Sequence, residues 1–169
     1  MANYEFAVAT KNTFKVKNPK EVVNVFQGLG FEKTYQCNDG TIFIGGYEQM
    51  LGDDMVVYVD IKTNKAVALD RGFEELFSVE SGDEVDNPKD FEDETKYKAM
   101  DSFDYLQEQL LDGEVASIIE AGSEKLVFVG ACFVVITKKG IEWRNTTQMI
   151  EEIVSNMLEK RNENNNIEK

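Results

Sequence analysis

Carboxylates are the side chains of this sequence most able to do chemistry, and seven of them fall in one short stretch. Oxygen ligands of this kind bind Ca²⁺ or Mg²⁺, and a pair of carboxyls can act as acid and base in glycoside hydrolysis. An EF-hand loop needs acids at alternating positions, then a glycine and a terminal glutamate at fixed offsets. This stretch lacks that pattern, and no two of its acids are singled out as a catalytic pair. The seven are Asp83, Glu84, Asp86, Asp90, Glu92, Asp93 and Glu94.

The rest of the sequence offers little other catalytic chemistry. It contains no histidine, which removes Ser-His-Asp and Cys-His catalysis and most zinc sites. Cys37 and Cys132 are far apart in sequence and are predicted to be reduced thiols. Gly28 and Gly30 end a predicted helix, whereas a phosphate-binding loop would precede one. We therefore predict no catalytic residue, no metal site and no cofactor; an enzyme using carboxylates and a divalent metal remains an alternative.

Negative charge dominates the composition and constrains the partners. There are 32 acidic and 18 basic residues, a net charge of −14, and residues 74–104 hold twelve acids against three lysines. Such a field opposes direct binding to nucleic acid and to anionic membranes. It attracts basic protein surfaces. We expect a basic protein partner, no direct nucleic-acid contact and no membrane contact.

The acidic segment, residues 74–104, is the candidate binding surface. Carboxylates held on a rigid scaffold can imitate a nucleic-acid backbone, which carries one charge per about 1.7 Å of duplex axis. Phe91 and Tyr97 lie among these acids and are candidate anchors of a contact. The predicted partner-binding set is thus the seven acids with these two aromatics. The alternative is a solvated loop that only favours solubility.

The N-terminal half is predicted to contain a strand, a helix and two hairpins. Tyr4–Thr10 and residues 13–17 alternate as strands do. Pro19 suits the first position of a helix, with Asn18 as its N-cap. The hairpins comprise residues 31–38 and 41–47 around Asp39-Gly40, then residues 55–61 and 65–69 around residues 62–64. Phe73, Leu76 and Phe77 suggest a short helix before the acidic stretch.

The C-terminal half is predicted to contain a helix, a hairpin and a longer helix. Asp101 or Ser102 caps the first helix. Residues 114–120 form a strand, Gly122-Ser123 a turn, and residues 126–137 a strand buried on both faces. Asn145 with Gln148 resembles a capping box, and a dense apolar stripe follows it. The stripe comprises Met149, Ile150, Ile153, Val154, Met157 and Leu158.

Grouped rather than alternating elements predict an α+β fold, with an antiparallel sheet of hairpins covered by about three to four helices. We predict one domain over residues 1–161, containing the acidic segment, and a frayed polar tail over residues 162–169. The N-terminus shows no basic stretch leading into an apolar one. We therefore expect a cytoplasmic protein.

Two blocks of the sequence carry a resemblance. Residues 10–19, TKNTFKVKNP, precede a helix, and residues 112–126, DGEVASIIEAGSEKL, precede an apolar strand and a Lys-Gly turn. Both blocks resemble small acidic accessory proteins encoded on bacterial phages, plasmids and conjugative elements. That group has no established activity, so the resemblance implies a bacterial host and a mobile element but no catalytic residues. Residues 81–100 lie outside the resemblance.

Two functions are consistent with these observations. Mobile elements encode small acidic inhibitors of host nucleases, of the anti-CRISPR and anti-restriction type, and this chain is similar to them in size and charge. The first hypothesis is accordingly a non-enzymatic inhibitor that occupies a nucleic-acid-binding groove of a host defence enzyme. The alternative is a phage or plasmid accessory or assembly module that forms a homo-oligomer through the helix over residues 147–160.

Overall fold

Eleven strands and three α-helices are present in the computed structural model, which describes residues 4–47, 55–71, 76–124 and 128–167. The helices are α1 (Pro19–Gly28), α2 (Ser102–Gln109) and α3 (Thr146–Ile167). The strands are β1 (Tyr4–Thr10), β2 (Tyr35–Gln36), β3 (Ile42–Phe43), β4 (Gly45–Tyr47), β5 (Val56–Asp60), β6 (Lys65–Asp70), β7 (Leu76–Ser78), β8 (Tyr97–Asp101), β9 (Val115–Glu124), β10 (Phe128–Thr137) and β11 (Gly140–Asn145).

The strands form three antiparallel sheets. A five-stranded sheet has the order β11-β10-β9-β1-β4, a four-stranded sheet has the order β7-β6-β5-β8, and β2 pairs with β3. Side chains from the two larger sheets and from α1 and α2 meet in a single core cluster, which includes Phe26, Val57, Leu106 and Ile136. The predicted α+β class with antiparallel sheets is confirmed.

Helix α1 follows the predicted start but not the predicted cap. Pro19 occupies the first turn, as expected, while the Asn18 side chain makes no capping hydrogen bond. The Asn18 amide instead faces Gln109 Oε1 at 3.5 Å. At the other end of α1, Arg71 donates from Nε to the Gly28 carbonyl oxygen at 2.6 Å and lies 4.1 Å from the centre of the Phe77 ring. A cation at this end of a helix complements its dipole.

Several predicted elements differ in the structure. Residues 13–17 contribute only isolated bridges, Phe14 to Ile42 and Val16 to Leu110. Leu76 and Phe77 lie in strand β7, where pairing with β6 outweighs local helix preference; Phe73 lies outside the described residues. Gly122 and Ser123 continue β9, since β1 and β10 pair with them on both sides.

Strand β10 is buried on one face only over its second half. Val134 and Ile136 are buried, whereas Val135 between them is 39% exposed. The prediction of burial on both faces was therefore wrong. Apolar composition alone did not show that one face of this sheet lacks a covering layer over Val135.

The caps of α2 and α3 were predicted correctly. Asp101 accepts a hydrogen bond from the Phe103 amide at 2.8 Å. Asn145 Oδ1 accepts from the Gln148 amide at 2.8 Å, and Gln148 Oε1 accepts from the Asn145 amide at 3.1 Å, which is the reciprocal capping box. Helix α3 continues to Ile167, through most of the segment predicted as a polar tail.

Candidate functional site

The acidic segment contains two strands of the four-stranded sheet and the connection between them. β7 is one edge and β8 is the other, with β6 and β5 between them. After β7 the chain turns back and extends the edge, since Ser78 N donates to Asp83 O at 2.9 Å and Val85 N donates to Leu76 O at 2.7 Å. Residues 86–96, here called the acidic crossover, then connect this edge to β8.

One face of the sheet lies under the acidic crossover. Val57 and Leu69 point into the main core, so Tyr58 and its cross-strand partners Ala68 and Ala99 point to the opposite face. Ala68 and Leu76 are buried although neither belongs to the main core cluster. The crossover lies over Leu76, since Pro88 and Phe91 line one cavity with Leu76 and Tyr58.

Phe91 attaches the crossover to the sheet. Its ring centre lies 5.5 Å from that of Tyr58 in β5 and 4.8 Å from that of Tyr97 in β8, with the rings tilted at 55° and 43°. Tilted aromatic pairs at this separation contribute about 0.5–1.5 kcal/mol each beyond the burial of apolar area. Phe91 itself lies in a short 3₁₀ turn over Pro88–Glu92.

Short-range polar contacts fix the turns of the crossover. Asn87 Nδ2 donates to Asp90 Oδ1 at 2.9 Å. Asp93 Oδ1 accepts from the amide and the hydroxyl of Thr95 at 3.1 and 2.5 Å. Asp93 Oδ2 lies 3.0 Å from Lys96 Nζ. These bonds, first those from the Thr95 hydroxyl and Lys96, lower the pKa of Asp93 to about 2.

The remaining crossover acids project into solvent. Asp86, Asp90, Glu92 and Glu94 are all exposed. The crossover has five acids and two lysines, Lys89 and Lys96. Since Lys96 pairs with Asp93, four exposed carboxylates remain on a segment whose backbone is tied to the sheet. This arrangement is suited to attracting a basic surface.

The structure brings together most, but not all, of the predicted binding residues. Asp86 to Glu94 and Tyr97 lie on or under the crossover, as one group. Glu84 is separated from this group. It forms an isolated β-bridge with Phe77, and residues that are paired across strands point to the same face of a sheet. Phe77 pairs with Leu69, whose side chain points into the core, so Glu84 lies on the α1 side of the sheet. The Asp93 carboxylate mainly stabilises the turn in which it lies, through Thr95 and Lys96.

Tyr58 and Asp70 belong to the site but were not predicted. Alternation along residues 55–61 indicates which face Tyr58 occupies. The sequence does not indicate that a distant connection lies over that face. Burial, followed by the charges of Asp70 and Glu92, raises the pKa of the Tyr58 phenol. The raised pKa reflects a partly desolvated, negatively charged surrounding.

A second surface lies on α3. Its apolar stripe faces outward: Ile150 is 61% exposed and Met157 is 67% exposed, and Met149, Ile153 and Val154 are also exposed. An apolar stripe on a helix ordinarily packs against another element. Little of α3 does so among the described residues, where its main packing is against β10 and β11. The side chain of Leu158 lies outside the described residues.

The described ranges contain no group of three or more potential metal ligands from His, Cys, Asp and Glu. No helix within those ranges has the length and apolar composition to span a bilayer. Comparison of the chain with protein-family models, characterised proteins and solved structures yields no match. Function must therefore be argued from the two surfaces themselves.

Proposed function

We propose that the chain is a non-enzymatic binding protein that uses the acidic crossover to occupy a basic protein surface. The observation that carries the proposal is the attachment of the crossover to the sheet through Phe91, which orders the backbone that carries the exposed carboxylates. A backbone that is already ordered loses less conformational entropy on binding.

A nucleic-acid-binding groove is the basic surface that this arrangement fits best. Such grooves are lined with lysine and arginine placed to neutralise regularly spaced phosphates. Four exposed carboxylates on one short connection present negative charge to such a groove. The proposed activity is inhibition of a host defence nuclease, of CRISPR or restriction type, by competition with its nucleic acid.

The test is a displacement assay with matched charge variants. Labelled duplex DNA bound to a purified CRISPR effector or restriction endonuclease is titrated with the chain while anisotropy is recorded. The crossover variant carries Asp86→Asn, Asp90→Asn, Glu92→Gln and Glu94→Gln. Asp93 is left unchanged because its carboxylate holds the turn. The control variant neutralises the same number of exposed acids elsewhere: Asp104, Asp112, Glu142 and Glu151.

We expect the crossover variant to require an at least about tenfold higher concentration than the wild type to displace the DNA, because a local field changes association rates by 10–10³-fold. The control variant should lose much less. Raising the salt concentration should weaken wild-type binding steeply. Equal displacement by the two variants, or binding that salt does not affect, would contradict the proposal.

A second function is favoured by the exposed stripe of α3. The stripe suits pairing with α3 of a second copy in antiparallel orientation. In sequence, Glu151 and Glu152 lie near the start of α3, and Lys160 and Arg161 lie further along it. Antiparallel pairing of two helices places the acidic part of one near the basic part of the other, and charges that flank an apolar stripe set the orientation of paired helices. On this alternative, the chain is a homo-oligomeric accessory module.

Light scattering over a range of protein concentrations tests the self-association. Wild type should show a mass that rises towards that of a dimer, and Ile153→Glu should remain monomeric because it places a charge in the middle of the paired stripe. Ser155→Glu, on the same helix but outside the stripe, is the matched control. A wild type that stays monomeric at every concentration removes this alternative.

A further inference from the structure

A cavity of about 410 Å³ lies between the acidic crossover and the exposed face of the four-stranded sheet. Its floor is formed by strand residues, among them Tyr58 of β5 and Ala99 of β8, and its wall by Pro88 and Phe91 of the crossover. Both sides are held by hydrogen-bonded or ring contacts described above. The cavity is therefore a feature of the fold rather than a gap between loosely placed side chains.

Aromatic rings and carboxylates line this cavity together. The rings are those of Tyr58, Phe91 and Tyr97, and the carboxylates are those of Asp70, Glu92 and Glu94. Within the parts of the chain that the structure describes, no lysine or arginine lines it. The face of an aromatic ring attracts cations through its quadrupole, and carboxylates attract them directly. Both kinds of group thus favour the same class of ligand.

The chemistry of the lining distinguishes between cations. A guanidinium is planar, stacks on aromatic faces and donates paired hydrogen bonds to carboxylates. An ammonium is more strongly hydrated and lacks that planar fork. A quaternary ammonium has no N–H group to donate to the carboxylates. The combination of rings and acids therefore fits a guanidinium better than either alternative.

We propose that this cavity binds an arginine side chain of the partner protein, with the guanidinium against the Phe91 and Tyr97 rings and within reach of Glu92 and Glu94. The inference rests on the proposed function only in assigning the arginine to a partner protein. Asp70 and Tyr58 complete the lining at the floor. The raised pKa of Tyr58 is consistent with a surrounding that a bound cation would neutralise.

The test uses small probes and the intact chain. N-acetyl-arginine amide is titrated while the ring and amide resonances of Tyr58, Phe91 and Tyr97 are followed by NMR. N-acetyl-citrulline amide has nearly the same shape without the charge, and N-acetyl-lysine amide has the charge without the planar fork. We expect saturable shifts with arginine and at least about tenfold weaker binding of citrulline, because charge-assisted hydrogen bonds are roughly twice as strong as neutral ones.

Variants of the lining residues test whether N-acetyl-arginine amide binds in this cavity. The double change Glu92→Gln with Glu94→Gln, and separately Phe91→Leu, should each weaken arginine binding by about tenfold or more. The pair Asp112→Asn with Glu114→Gln, which removes the same charge elsewhere, should not. Equal binding of citrulline, equal or tighter binding of lysine, or unchanged binding in both cavity variants would overturn the proposal.

The outcome for the cavity can be separated from that for the proposed function. Arginine binding to the isolated chain requires no partner, so it can succeed even if the displacement assay fails. Conversely, if the crossover variant loses its partner while N-acetyl-arginine amide causes no shifts, the charged surface acts without the cavity, and the inference made here is wrong.

Discussion

Replacing Glu21 by alanine is expected to lower the free energy of unfolding by about 2–3 kcal/mol, because it leaves a buried donor without its acceptor. Glu21 Oε1 accepts from the Tyr105 hydroxyl at 2.9 Å and from the Ala66 amide at 3.2 Å. This one carboxylate therefore links α1, α2 and β6. Tyr105 is only 1% exposed, so water cannot readily replace the lost acceptor.

Urea denaturation measures the effect, and Glu21→Gln is the matched control. Glutamine keeps an acceptor oxygen of the same reach, so it should retain more than half of the stability that alanine loses. An alanine variant as stable as the wild type would show that the hydroxyl finds another partner.

The same pair makes stability depend on alkaline pH. Burial, then the Glu21 charge and the hydrogen bond to it, raises the pKa of Tyr105. An unfolded tyrosine ionises near pH 10, whereas the folded one stays protonated. The stabilisation is thus complete below pH 10 and is lost as the pH rises above it, by up to about 1.4 kcal/mol per unit. In Tyr105→Phe the part of this loss that comes from Tyr105 should disappear, which leaves the contributions of other groups with raised pKa values, such as Tyr58 and Lys96.

Phe91→Ala is expected to release the acidic crossover while leaving the rest of the fold intact. The substitution removes both ring contacts that attach the segment to β5 and β8. Losing about 1.5–3 kcal/mol of apolar and aromatic contact would speed local opening by about tenfold or more. Hydrogen exchange should show this at the Asp90, Lys96 and Tyr97 amides, which are bonded within the crossover and its turn.

Two controls show whether the opening is confined to the crossover. Amides of the core strands, such as Val57, should exchange at the wild-type rate if opening is confined to the crossover. Phe43→Ala removes another partly buried ring, which stacks on Tyr35 at 5.2 Å away from the crossover, and should leave the crossover amides unchanged. Equal acceleration throughout the chain would mean that Phe91 supports the whole fold rather than one connection.

The sequence patterns correctly predicted the caps and turns that depend on residues close to one another in the chain. The capping box at Asn145, the cap at Asp101 and the hairpin of β5 and β6 all depend on residues close in sequence, and all three are confirmed. Predictions failed where distant pairing decided the outcome. Gly122 and Ser123 have turn character, yet β1 and β10 hold them in β9 from both sides. Leu76 and Phe77 became a strand because β6 was available as a partner.

The candidate site was predictable in part for the same reason. Acid clustering and the nearby aromatics identified Asp86, Phe91 and Tyr97 from sequence alone. The floor of the cavity could not be found that way, since Tyr58 and Asp70 reach it only through the order of strands in the sheet. The separation of Glu84 from the crossover acids follows only from its bridge to Phe77 of β7, which the sequence does not indicate.

The connection from β7 to β8 is much longer than the distance it covers. Crossing from one edge of a four-stranded sheet to the other takes three strand spacings, about 14 Å, whereas residues 79–96 could reach roughly 60 Å if extended. Apart from residues 83–85, which extend the edge at β7, most of the excess length lies outside the strand ladders that stabilise the sheet. Charges at the exposed positions of this connection, such as Glu92 and Glu94, can therefore change at little cost to folding.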